Sequence, residues 1–341
     1  MLLRTIFEQP LYPKPELGEP PAWLTKETPD SIFPLKEAVK RIGVSELNGM
    51  KNIAARDFVD AYIEAMKQFY VKTVDKDSYL ANFTSMKEYR NVFLDHLRSF
   101  SSVDNFGSAM ADEFERMFNA FYNAYTFEEQ PRSCGEDEFD LFKVHLWELF
   151  VGTVTYMLHF ELYNDIHELL VHTYFLRTSG LGEGRRPFSY AKFRFHSRMI
   201  EERIKPTLSS PLNRKYSLIG HYVCKEREYM PMYSGRAMAN ADLFLYQVFN
   251  GLELDELRDW YCTWFPMLYV YADEYDSIWK KLKSTQFCKK IMLVFGVKTI
   301  DDLKKRIANC EQDNKVHYSA GYPPAPAILT IVSLDEIATL P

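Results

Sequence analysis

One apolar stretch contains His145, His159, His167, Glu168 and His172, all side chains able to ligate a metal. The nearest approach to a metal motif is His167-Glu168-Leu169-Leu170-Val171-His172. Zinc metalloproteases use H-E-x-x-H because histidines four apart share one helix face. Here the histidines are five apart, about 140° around a regular helix, and cannot both ligate from it. A di-iron bundle needs a pair of Glu-x-x-His motifs. His145 and Glu148 are three apart, but the match is single. The expectation is therefore buried or partner-bonded histidines, with no metal and no cofactor. There is no G-x-S-x-G elbow. The acidic pairs Asp112–Glu113 and Asp255–Glu256 are spaced as solvated faces rather than as paired catalytic carboxylates.

Charge and rings alternate further along. Between Arg177 and Arg236 there are 13 Lys/Arg and 5 Asp/Glu, although the whole chain carries −6. That stretch is +8 and the remainder −14. Arg185, Arg186, Lys192, Arg194, Arg198 and Arg203 interleave with Phe188, Tyr190, Phe193 and Phe195. Arginines can pair with phosphates while rings stack on unpaired bases. The same polarity also suits docking onto the acidic remainder of the chain, and both readings stay open. Just before it, Gly180, Gly182 and Gly184 precede the two arginines in SGLGEGRRP (179–187). The segment lacks the Lys-Ser/Thr of a P-loop and no clear strand precedes it. A loose loop is expected, with a mobile anion-contacting loop as the alternative.

The string Arg90-Asn91-Val92-Phe93-Leu94-Asp95-His96 resembles the R-x(4–6)-H motif of HEPN ribonucleases, small helical bundles that usually act as dimers. The resemblance implies that Arg90 and His96 act at an RNA phosphodiester, with Asn91 in the polar slot after the arginine. Six residues on a regular helix separate the two by about 120°, so a bend or helix end is needed. A second, looser match runs from Arg214 to His221, with Lys215 in the polar slot. Five further strings, PKPELGEPP (13–21), LWELF (146–150), HTYFL (172–176), NADLFLY (240–246) and FGVKTIDDLKKRI (295–307), together resemble uncharacterised helical regions of bacterial proteins of the antiviral-defence type. Such regions accompany a separate effector domain. The resemblance implies a helical sensor, scaffold or regulator, carries no active site across, and makes a partner or effector subunit necessary, since no effector domain is recognisable here.

These groups must be positioned by a helical scaffold. From Phe139 to Phe160, 14 of 22 residues are apolar and leave no wide polar face. A helix apolar all round is buried in protein or spans a membrane. Lys143, His145, Glu148 and His159 interrupt the run, which falls short of the ~20 predominantly apolar residues of a span. Residues 139–176 are thus the expected centre of the core, breaking near Tyr163–Asn164–Asp165 into two antiparallel helices. Helical spacing predicts further helices over Ala54–Thr73, Ser85–Phe100, Met110–Tyr125, Tyr190–Lys205, Gly235–Phe249, Leu252–Phe265, Ala272–Lys283, Phe287–Phe295 and Ile300–Cys310, and one short strand over Ile328–Val332.

Hydrophobic residues make up 47% of the 341, ample for a large core, and only 14 are glycine, which argues against sandwiches, barrels and glycine-rich α/β folds. The expected fold class is mainly α: a multi-helix bundle or stacked helical hairpins around a buried central helix, with at most a few short strands. Seven prolines in residues 1–34 make that segment an extended arm. Residues 35–130 and 138–341 form the expected N- and C-terminal helical subdomains, divided by the polar EEQPRSCGEDE (128–138). Five scattered cysteines with no C-x-x-C pair indicate free thiols and a reducing compartment. With no signal-peptide pattern at the N-terminus, a cytoplasmic protein is expected. The leading functional expectation is a non-enzymatic subunit that binds a protein partner, or nucleic acid through its basic stretch, without membrane contact and with self-association open. A HEPN-like ribonuclease is the alternative.

Overall fold

The computed structural model describes residues 32–44, 48–72, 75–182, 184–194, 197–207, 217–226, 231–254, 263–271, 277–310 and 324–341. The first helix, α1 (Ile32–Val44), buries Leu35, Ala38 and Ile42. Pro34 sits in its first turn, where the missing amide hydrogen is not needed. The last three residues of the expected arm are therefore helical, and residues 1–31 lie outside the described residues. α2 (Asn48–Met66) and α3 (Lys76–Phe100) follow. α3 begins nine residues before the predicted start at Ser85, because the Asp75 carboxylate accepts the amides of Asp77 and Ser78 and caps it there. α4 (Phe106–Phe121) is strongly two-faced, with Met110, Phe114, Met117, Phe118 and Phe121 turned inward.

α5 (Asp140–His159) is the expected central helix. Every residue from Asp140 to Met157 is buried except Lys143. α3, α4 and α7 (Gly235–Val248) pack against it. The chain then turns at Phe160–Leu162, with Glu161 at φ 55°. Tyr163 opens α6 (Tyr163–Val171), so the predicted break at Tyr163–Asp165 falls inside a helix rather than at the turn.

The largest departure from expectation follows. Two strands, β1 (Tyr174–Arg177) and β2 (Arg185–Phe188), pair antiparallel as a hairpin, with Tyr174 opposite Phe188 and Arg177 opposite Arg185. A strand does precede the glycine segment, and Arg185, Arg186 and Pro187 belong to the second strand. Tyr190–Lys205 is not one helix either. It divides into a 3₁₀ turn at Tyr190–Phe193, a wide π turn at Met199–Ile204 and a 3₁₀ turn at Lys205–Thr207. Side chains have taken the amides there: Met199 N–H donates to the Asp140 carboxylate and Ile200 N–H to the Ser197 hydroxyl.

α8 (Thr285–Phe295) and α9 (Ile300–Asn309) are capped by Ser284 and Thr299 and pack together. The C-terminal strand expected at Ile328–Val332 is a 3₁₀ turn over Ile328–Thr330. Ile328 and Val332 are buried while Thr330 is exposed, a spacing of four that seats a helical turn, not a pleat. The predicted helices over Leu252–Phe265 and Ala272–Lys283 fall partly outside the described residues, and Ile278–Lys283 is 3₁₀.

One core cluster contains residues from both sides of the polar 128–138 stretch. That stretch is held to the surface by Tyr70 donating to Glu138 (2.6 Å) and by Lys72 paired with Glu128 (2.8 Å). Among the described residues no helix is long and apolar enough to cross a membrane. The start of α4 crosses α6 at near-contact. The Asp165 carboxylate accepts the Gly107 amide at 3.0 Å, and a Cβ at Gly107 would lie 2.2 Å from the Asp165 carbonyl oxygen. Backbone on one side and a packed helix on the other leave no room to yield. Gly107→Ala should therefore destabilise the fold by about 2–3 kcal/mol, an overpacking cost read from urea denaturation midpoints.

Candidate functional site

Two motifs weighed separately in the sequence meet inside the core. Arg90 of α3 meets Glu148 of α5, with Asn91 and His145 at either end of the pair. Arg90 Nη1 donates to Glu148 Oε1 at 3.1 Å, and its Nε and Nη2 donate to Asn91 Oδ1 at 3.2 and 2.8 Å. His145 Nδ1 lies 4.0 Å from Glu148 Oε2, while its Nε2 shares a 2.7 Å hydrogen bond with the Tyr62 hydroxyl of α2. The Arg90 and Glu148 side chains are 1% and 0% exposed. A carboxylate at that depth needs a matched charge, and the planar guanidinium supplies it with directed donors.

His96 is elsewhere. Its ring stacks on Phe58 at 4.2 Å and on Phe100 at 5.5 Å, with Phe93 tilted beside it at 5.9 Å. Neither ring nitrogen has a hydrogen-bond partner. Burial pushes its pKa down to about 3, so the ring is neutral at pH 7. The structure thus joins Arg90 to Asn91 but not to His96, and the latter two-residue contact expected of a HEPN-like pair is absent among the described residues. Neither Arg90 nor His96 reaches solvent in this conformation. The remaining candidate ligands also separate. His159 packs edge-on to Phe160, His167 Nδ1 meets the Val294 carbonyl at 2.9 Å, Glu168 accepts from Ser108, and His172 lies 3.9 Å from both Asp112 and Glu115. Among the described residues no group of three or more His, Cys, Asp or Glu is placed to hold a metal ion.

Three cations of the basic stretch pair with acids of the same chain. Arg203 pairs with Asp137 at 2.7 Å, Arg198 with Glu202 at 3.4 Å and Lys205 with Glu201 at 3.3 Å. Arg194 donates to the Thr263 carbonyl at 3.0 Å and lies over the Phe265 ring. Beneath them Asp140 accepts from the Ser197 hydroxyl and the Met199 amide, and burial raises its pKa to about 6. Arg214 and Lys215 lie outside the described residues.

Arg185, Arg186 and Lys192 remain at the hairpin. Arg185 and Arg186 are exposed on β2, and no described carboxylate pairs with either. Lys192 sits over the Phe188 ring at 4.7 Å. The hairpin is rigidly placed: the Asn119 side chain of α4 donates to the Phe175 carbonyl (3.0 Å) and accepts the Arg177 amide (2.9 Å), and Glu115 accepts the Phe175 amide (2.8 Å). Side chains thus occupy the outer edge of β1. Those contacts point Phe175 and Arg177 away from β2, so their opposite residues Pro187 and Arg185 also turn their backbone outward. Pro187 has no amide to offer there and blunts the other edge. Phe175, 51% exposed, stands on the open face with Pro187.

Sequence reasoning missed two features. Residues 277–310 hold nine Lys/Arg against two Asp/Glu, a simple count overshadowed by the longer basic stretch before it. Asp242 of α7 is fully buried, accepting from Trp264 Nε1 (2.9 Å) and the Leu268 amide (2.8 Å), and burial raises its pKa to about 7. Its only sequence signal is an acid in the apolar run NADLFLY. Comparison with protein-family models, with curated proteins and with solved structures finds no match to this chain.

Glu148→Gln removes the buried carboxylate charge that Arg90 faces and should cost about 3–5 kcal/mol in urea denaturation. His96→Phe removes an imidazole that takes up a proton only when unfolded between pH 3 and 6.5. Wild-type stability contributed by neutral His96 is complete above about pH 6.5 and declines as pH falls toward 3. The variant should therefore gain on wild type by about 2–3 kcal/mol between pH 7 and pH 4.5, read from denaturation midpoints at the two pH values.

Proposed function

We propose that this chain is a non-enzymatic, macromolecule-binding subunit, a sensor, scaffold or regulator, whose contact surface centres on the β1–β2 hairpin. One observation carries the reading. Arg177 and Arg185 stand directly opposite each other, Arg186 follows on the other face of β2 opposite Leu176, and both β2 arginines are exposed without a described carboxylate partner. Like charges opposite one another destabilise a strand pair. An acidic partner would relieve that repulsion, whereas Arg194, Arg198, Arg203 and Lys205 are already engaged within the chain.

An acidic face of a partner protein is the occupant this favours, in a cytoplasmic setting consistent with free Cys134, Cys288 and Cys310. A role in bacterial antiviral defence rests on the five sequence strings alone. The buried positions of Arg90 and His96 lend the ribonuclease alternative no support.

The test is purification from the native source at low salt, comparing wild type with Arg185→Glu/Arg186→Glu. Arg194 is left intact because it is bonded to the Thr263 carbonyl. The wild type should retain a stoichiometric partner that dissociates as salt rises, and the variant should lose it with an unchanged thermal midpoint. A partner retained by the variant overturns the hairpin assignment. A 260/280 nm absorbance ratio showing RNA in place of protein would make the occupant a nucleic acid.

A further inference from the structure

The second basic block has a cleft. An open concavity of about 460 Å³ is lined by Val297 and Lys298 of the α8–α9 connection and by Asp302, Lys305, Arg306 and Asn309 of α9. The four α9 residues sit at i, i+3, i+4 and i+7, which places them on one helix face. Lys298 enters from the connection. Three cations thus converge on one space against a single carboxylate.

The carboxylates nearby act as fixtures rather than as neutralising partners for the whole set. Asp302 is pinned by the Thr299 hydroxyl (2.6 Å) and accepts Lys305 at 3.3 Å. Glu253 holds the Arg306 guanidinium from outside the cleft. Arg306 is three-quarters buried and so has a fixed orientation, with donors beyond those Glu253 occupies. Lys298 is exposed and has no described carboxylate partner. Its bland role is to complement the C-terminal dipole of α8, which ends at Gly296 in a left-handed turn. That role does not account for Lys305, Arg306 and Asn309 facing the same space. The volume is within the range of small-molecule sites.

We infer that this cleft binds a phosphoryl group, with Lys298, Lys305 and Arg306 as its cationic ligands and Asn309 as a neutral donor. Arginine and lysine are suited to that task in complementary ways, the one by a directed fork and the other as a mobile point charge. The site is separate from the hairpin surface and does not depend on it. It takes the phosphate of a free polyphosphate or of a nucleotide, and Val297 offers an apolar contact only the latter would use.

The test is isothermal titration of the full chain with inorganic tripolyphosphate and, separately, with adenosine triphosphate, at matched ionic strength. Saturable binding is expected for at least one. Lys298→Glu and Lys305→Glu, both at exposed positions, should each weaken it by about tenfold or more, the loss of one charge-assisted hydrogen bond plus new repulsion. Lys289→Glu, on the exposed side of α8 outside the cleft, should leave it unchanged. Equal affinity for both ligands identifies phosphate alone as the determinant, and tighter nucleotide binding adds the Val297 contact. Absence of saturable binding up to about 10 mM, weaker than any affinity such a set of contacts should give, overturns the inference. So does equal weakening by Lys289→Glu, which would mark diffuse surface charge.

Discussion

A helix without a polar face folds only where other elements cover every side of it. α5 imposes that condition on the whole molecule. α3, α4, α6 and α7 surround it, and one face even accepts the irregular turns after the hairpin through Asp140. The polar groups it carries inward raise the demand further. Glu148 requires the guanidinium of Arg90, and His145 requires the Tyr62 hydroxyl, so α2 and α3 are set in register against α5 by chemistry as well as by shape. Close-packed neighbours then fix the rest: Gly152 lets Leu94 approach so closely that an added Cβ would sit 3.0 Å from it.

Much of this architecture was legible. The all-round apolar character of residues 139–160 identified the central helix, and the periodic rings of α2, α3 and α4 identified its neighbours. Caps were legible where a side chain does the capping, as at Thr299 before α9. What failed shares one cause. The glycine segment, Tyr190–Lys205 and Ile328–Val332 take their shape from contacts distant in sequence. The Asn119 clamp on β1, the Asp140 and Ser197 side chains that draw off amides, and the core sockets of Ile328 and Val332 leave no local pattern. The candidate residues show the same limit. Arg90 and His96 are neighbours in sequence and on one helix, yet each faces a different environment; Arg90 and Glu148 are 58 positions apart and touch.

Charge is arranged at three depths. Deep inside, Glu148 meets the guanidinium of Arg90, and burial raises the pKa values of Asp242 and Glu113 to about 7. Nearer the surface, Arg203, Lys205 and Arg198 pair with Asp137, Glu201 and Glu202. At the surface, two positive regions are left over, on the hairpin and along α8–α9. The acidic excess of the remaining chain explains why those two regions stand out although the net charge is −6.

The burial of α5 also has a consequence during synthesis. Its covering partner α7 begins at Gly235, whereas α5 ends at His159. Roughly 75 residues separate them, which at ribosomal speeds is an interval of about 4–15 s. Through that interval the nascent chain holds a complete apolar helix whose side facing α7 has no cover. The side reserved for α7 is then a natural station for a holdase chaperone, and slow codons placed between the two helices would prolong the exposure.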